Sequence, residues 1–263
     1  MIDITSVVYP LSGLLVGLLV GLTGVGGGSL MTPLLLAFGV HPTTAVGTDL
    51  LYAAVTKTVG TGVHSASKTV DWKIVRRLAL GSVPTTALTL FALSHFNSHS
   101  KEVTSTIKFV LGVALLLTAL SIFFRRRVAE WVATRFGEPS DSTARTLTIV
   151  SGAVLGVLVS LSSVGAGALG VTALIMLYPR LPTVSIVGSD IAHAVPLTLL
   201  AGFGHWLLGD VNWGLMGSLL IGSIPGILLG SWLAPRMPEY GLRPALASVL
   251  TLVGANLVHI HLF

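Results

Sequence analysis

The chain has 263 residues, of which 52% are hydrophobic and only 10% are Asp, Glu, Lys or Arg; its formal net charge is +5 and it contains no cysteine. A soluble domain carries about 25% charged residues to clothe its surface, so a water-facing globule is excluded, as are disulfides, thiolate nucleophiles and Cys-ligated metals. The basic residues cluster between apolar runs rather than along one face, which points to cytoplasmic loops in a lipid bilayer and away from nucleic acid.

Met1-Ile2-Asp3 lacks the positive flank and cleavage pattern of a secretory leader. From Ile4 through Thr48 there is no Asp, Glu, Lys or Arg, more than the roughly 20 residues that one span needs. Leu14–Leu22 and, further on, Val110–Leu117 are apolar at every step, whereas barrel strands alternate. The spans are therefore helices, and the expected class is an all-α integral membrane protein. The first half divides into segments at 7–23, 28–39, 43–62, 73–94 and 105–124. The second of these is too short to span comfortably, and it follows Gly24-Val25-Gly26-Gly27-Gly28-Ser29. In hydrocarbon every backbone N–H and C=O must be paired, so this cluster predicts a discontinuous helix. Freed N–H groups and the positive end of the next helix suit an anion, which marks Gly26, Gly27 and Gly28 as candidate ligands. Close helix packing through small residues is the alternative reading.

Segment 43–62 carries Asp49 and Lys57, eight residues apart and so on one helical face. An ionisable group within a span marks a pathway or a paired site by default. Lys57 is a candidate for attracting a negatively charged substrate; snorkelling, or neutralisation by Asp49 or Asp190, is the structural alternative. The loop with Lys68, Lys73, Arg76 and Arg77 is basic and expected in the cytoplasm, as is the stretch 125–145 with its five arginines. The expected organisation is a first transmembrane unit at 1–124, a basic cytoplasmic linker at 125–145 and a second transmembrane unit at 146–263.

The second unit repeats the first. Gly47-Thr48-Asp49-Leu50 recurs as Gly188-Ser189-Asp190-Ile191, and in the same register His64 meets His205 and Val70-Asp71-Trp72 meets Val211-Asn212-Trp213. Gly81-Ser82-Val83-Pro84 then meets Gly222-Ser223-Ile224-Pro225, and Val25-Gly26-Gly27-Gly28 matches Val164-Gly165-Ala166-Gly167 upstream. Generic hydrophobicity does not align Asp, His, Trp and Pro together. Gly165 and Gly167 join the candidate ligands, with Thr48 and Ser189 as hydroxyl donors. Asp49 and Asp190 fit either helix capping or proton exchange. His193 lies one turn beyond Asp190 and joins them as a candidate for proton coupling. His64 and His205 are read as interfacial anchors beside Trp72 and Trp213. The partner of the basic loop, Trp206–Trp213, carries only Asp210 and is expected outside, so the repeats read as inverted. Inversion needs an odd number of crossings per unit, five here; four per unit in parallel is the rival, for 8–10 segments in all.

No zinc HExxH motif, serine nucleophile elbow or cysteine nucleophile occurs, so neither an enzyme nor a cofactor or metal is expected. The segment Gly24–Pro33, followed by Ala45-Val46-Gly47-Thr48-Asp49-Leu50 and Val70-Asp71-Trp72, resembles the TauE/SafE family of membrane permeases, and Gly188-Ser189-Asp190 through Val211-Asn212-Trp213 resembles that family's second repeat. The chain departs from the fullest glycine pattern at Ala166. The resemblance implies a multi-pass protein of the bacterial inner membrane that moves sulfite or an organosulfonate. The expected mechanism is alternating access by a secondary transporter, an exporter driven by protons or potential. The anion sits between Lys57 and the N–H groups of Gly26–Gly28, with Asp49, Asp190 and His193 as coupling groups. An anion channel, or a permease for another small organic acid, is the alternative; association with further copies of the chain is left open.

Overall fold

The computed structural model describes residues 4–23, 28–96, 100–137, 139–233 and 239–262. These form ten helices and, among the described residues, no strand: α1 (Ile4–Thr23), α2 (Gly28–Ala37), α3 (Pro42–Ala66), α4 (Trp72–Ser94), α5 (Lys101–Phe136), α6 (Asp141–Ser162), α7 (Ala168–Leu177), α8 (Thr183–Leu207), α9 (Trp213–Leu233) and α10 (Glu239–Leu262). Residues 101–125, 141–162, 183–207 and 213–230 are each long and apolar enough to cross a bilayer. By length and composition the chain is a multi-pass helical membrane protein. At about 1.5 Å per residue, the ten-residue helices α2 and α7 reach only about half of a 30 Å hydrocarbon core.

Local chemistry sets several boundaries. The Asp71 carboxylate accepts the Lys73 and Ile74 amides at 2.8 and 3.3 Å and starts α4, and the Ser140 hydroxyl accepts the Thr143 amide at 3.2 Å and starts α6. Each satisfies N–H groups that a helix start leaves unpaired. Between α6 and α7 the backbone leaves the helix at Ser163, which is left-handed at φ 59°, and passes Gly165 and Gly167 at φ 124° and 121°. A side chain at either glycine would be strained there, so the second expected helix break is a real turn held open by two glycines.

Small residues let the helices meet backbone to backbone. Gly13 and Gly17 of α1 abut the carbonyls of Leu219 and Ser223 on α9, an ascending register that makes these helices parallel. Gly152 and Gly156 of α6 abut the carbonyls of Leu78 and Ser82 on α4 in the same way. By contrast, α3 and α8 are antiparallel: Leu51 lies against Gly202, while Gly60, further along α3, lies against Ile191, earlier on α8. Without a hydrophobic drive between helices in lipid, such close approach supplies the packing energy. The outer face is apolar, with Leu88, Ile221 and Leu252 66%, 72% and 73% exposed, whereas Thr48, Asp49, Ser189, Asp190 and His193 are buried. The polar groups lie inside and the apolar ones face outward, as a lipid solvent demands.

Residues 125–136 continue α5 as helix beyond the arginines, and α6 begins at Asp141. One expectation changes here. His205 is no interfacial anchor: it is fully buried, with Nε2 2.9 Å from the Ser160 carbonyl and Nδ1 3.5 Å from Asp210 Oδ2. A turn after α8 folds Asp210 back under the helix end, where the Asp210 amide bonds the His205 carbonyl.

Candidate functional site

The buried polar groups converge where α3 and α8 pass each other beside α2 and the α6–α7 turn. On α3, Asp49 accepts a hydrogen bond from the Thr32 hydroxyl of α2 at 2.5 Å, and the Ser163 hydroxyl also faces it. Two turns further along, the Lys57 ammonium reaches the carbonyl oxygen of Ala166 at 3.5 Å. Lys57 acts electrostatically on Asp190, Asp49 and His193, so one cation serves groups from both α3 and α8.

On α8, Asp190 faces the backbone N–H of Gly167 at the start of α7. No side chain among the described residues hydrogen-bonds either of its carboxylate oxygens. His193 is buried one turn on, its Nε2 2.8 Å from the Ser82 hydroxyl of α4. Tyr52, on α3, is buried with its hydroxyl toward Ser223 of α9. Such polar groups cost several kcal/mol in hydrocarbon unless paired, so their gathering between α3 and α8 marks a candidate site.

Thr48 and Ser189 each accept a backbone amide. Thr48 Oγ1 accepts the Asn212 amide at 3.0 Å, and Ser189 Oγ accepts the Asp71 amide at 2.8 Å while donating to the Ser185 carbonyl at 2.7 Å. Each hydroxyl therefore pins the loop that starts a neighbouring helix. Lys57, Asp49, Asp190, His193, Gly165 and Gly167 come together around the α6–α7 turn. Gly26 and Gly27 lie outside the described residues, and Gly28 is the first residue of α2.

Tyr52, Ser82, Ser223 and Thr32 had no role assigned from the sequence. A signal existed for Ser82 and Ser223, which sit in the recurring Gly-Ser-x-Pro motif, and for Tyr52, which occupies the register position of His193.

Compared with known proteins, the chain matches the family model described as "Sulfite exporter TauE/SafE" over residues 9–257. It is 41% identical to "Probable membrane transporter protein YjnA" of Bacillus subtilis (strain 168), an alignment that covers 96% of this chain and 100% of that protein. It is 27% identical to "Probable membrane transporter protein YunE" of the same organism, covering 98% of each. A "Probable membrane transporter protein" of Xylella fastidiosa (strain Temecula1 / ATCC 700964) is 29% identical over 86% of this chain and 84% of its own length. No solved structure matches the chain significantly.

Proposed function

The chain belongs to the TauE/SafE sulfite exporter family, and from that premise we propose that it is a secondary transporter of a small anion, sulfite or an organosulfonate, in a bacterial inner membrane. The observation that carries this reading is the Lys57 ammonium beside the α6–α7 turn, 3.5 Å from the Ala166 carbonyl. A cation within a span, next to the N-terminus of a half-helix, is the combination that recognises an anionic group in lipid. The oxyanion binds between Lys57 and the first amides of α7, and the neighbouring acids Asp49 and Asp190, with His193, carry the coupling charge.

In this reading the two five-helix sets are inverted repeats. Asp49 and Asp190 share a register, and the helices that carry them, α3 and α8, run antiparallel. Contacts recur in the same register: Thr48 with Asn212 answers Ser189 with Asp71, and Tyr52 with Ser223 answers His193 with Ser82. Alternating access then follows from one five-helix set moving against the other around the α3–α8 crossing.

Binding tests the reading directly. Purified protein is heated with sulfite, methanesulfonate, sulfate or acetate, because a ligand that binds only the folded state raises Tm. Sulfite or methanesulfonate raises Tm, and Lys57→Gln removes the shift. Stabilisation by none of the four, or a shift untouched by Lys57→Gln, refutes the assignment.

A further inference from the structure

Asp190 stands where a substrate anion would stand. Its carboxylate faces the Gly167 amide at the start of α7, and it lies so close over the next turn that a Cβ on Gly170 would collide with Oδ1. Helix α7 has ten residues and no side-chain cap. The positive helix end and the Lys57 ammonium, which together would hold an oxyanion, therefore both face a carboxylate of the chain itself. Asp49 differs: it has the Thr32 hydroxyl as donor and Ser163 beside it. Asp190 depends on the same donors that the anion needs.

We infer that Asp190 is the resident counter-anion of the substrate site, and that an entering anion displaces it as the neutral acid, so that one proton accompanies each monovalent anion. The charge count requires this. With Asp49 unchanged through the cycle, Lys57 and an ionised Asp190 sum to zero; an anion added alone would leave an uncompensated negative charge in a low-dielectric interior. An anion added with a proton keeps the sum unchanged, the proton forming the O–H bond of the Asp190 carboxylic acid. Release of the anion reverses both steps. The charged and titratable groups around Asp190 are Lys57 and, beyond it, Asp49 from α3, and His193 on its own helix. His64, late in α3, approaches Gly188 two residues earlier. The α6–α7 turn presents the Gly167 amide to Asp190, and α4 presents the Ser82 hydroxyl to His193.

This inference rests on the transport reading above, and one experiment separates the two. Proteoliposomes clamped at zero membrane potential receive methanesulfonate, a monoanion whose own charge is fixed over the working pH range, under an imposed pH gradient. Wild-type protein accumulates it about tenfold per pH unit on the alkaline side, as one-to-one linkage demands. Asp190→Asn still passes methanesulfonate downhill but accumulates it no more than about onefold. Gly170→Ala, which drives Oδ1 off the turn, shifts toward the same uncoupled behaviour, whereas Gly217→Ala on α9, where nothing lies near the added Cβ, keeps its gradient-driven accumulation. Variants whose melting temperature in detergent falls well below wild type are replaced by Asp190→Ser. Gradient-driven accumulation by Asp190→Asn equal to wild type overturns the inference and leaves the transport reading standing. Absence of wild-type flux for methanesulfonate and sulfite alike overturns both.

Discussion

Lys57 Nζ on α3 lies 3.5 Å from the carbonyl oxygen of Ala166, in the turn that separates α6 from α7. The residues are 109 positions apart, so the contact exists only because α3 crosses the broken helix of the second half. It ties a cation of one half to the backbone of the other, at the place where Asp49, Asp190 and His193 also meet. A movement of either half that separates these two atoms changes what Lys57 can hold.

The antiparallel course of α3 and α8 fixes a topology that chemistry can read. The chain has no cysteine, so each introduced thiol reports alone. Ser67 follows the end of α3 and Leu207 ends α8, and the two lie at opposite ends of the crossing. Ser67→Cys is expected to react with a membrane-impermeant maleimide only from the cytoplasmic side, and Leu207→Cys only from outside. Labelling of both from one side contradicts the inverted arrangement.

Close packing of α4 on α6 leaves no room for a side chain at Gly81, where a Cβ would strike the Ile149 carbonyl. Gly81→Val is therefore expected to cost about 1–3 kcal/mol or more, the range for overpacking a tight contact. Gly217 on α9 has nothing near its Cβ position, so Gly217→Ala serves as the neutral control. Thermal unfolding in detergent compares them; equal melting temperatures would show that the α4–α6 contact does not hold the bundle together.

The Ser82 hydroxyl is the partner of His193 Nε2 at 2.8 Å in a fully buried setting. Ser82→Ala leaves that nitrogen unpaired and is expected to destabilise the protein by about 1–3 kcal/mol. His193→Ala combined with Ser82→Ala should cost less than the sum of the single changes. Additive losses in this double-mutant cycle would mean that the pair is not coupled.

Much of the architecture could be read from the chain. Apolar runs marked segments at 7–23, 28–39, 43–62, 73–94 and 105–124, and helices α1 to α5 occupy those places. The end of α5 could not be read, because Arg125–Arg127 ends the hydrocarbon crossing while Arg, Ala and Glu remain good helix formers, and the helix runs on to Phe136. Lys57, Asp49 and Asp190 stood out because charge inside an apolar run is rare. Tyr52, Ser82 and Ser223 did not, since a hydroxyl in a helix can bond its own backbone and resembles a packing residue. Only the crossing of α3 and α8 with α4 and α9 turns those hydroxyls toward a shared interior. His205 misled for the same reason: its burial depends on Asp210 folding back beneath it, which a helix-end position does not announce.

Sulfite flux into proteoliposomes, compared between wild type and Lys57→Ala at equal protein density and intact melting temperature, tests the central claim most directly. Saturable uptake by the wild type, and a loss of at least about a hundredfold in Lys57→Ala, follow if a buried charge pairing worth about 3 kcal/mol holds the anion. Unchanged flux in Lys57→Ala would contradict the account, and the anion would have to be held elsewhere in the bundle.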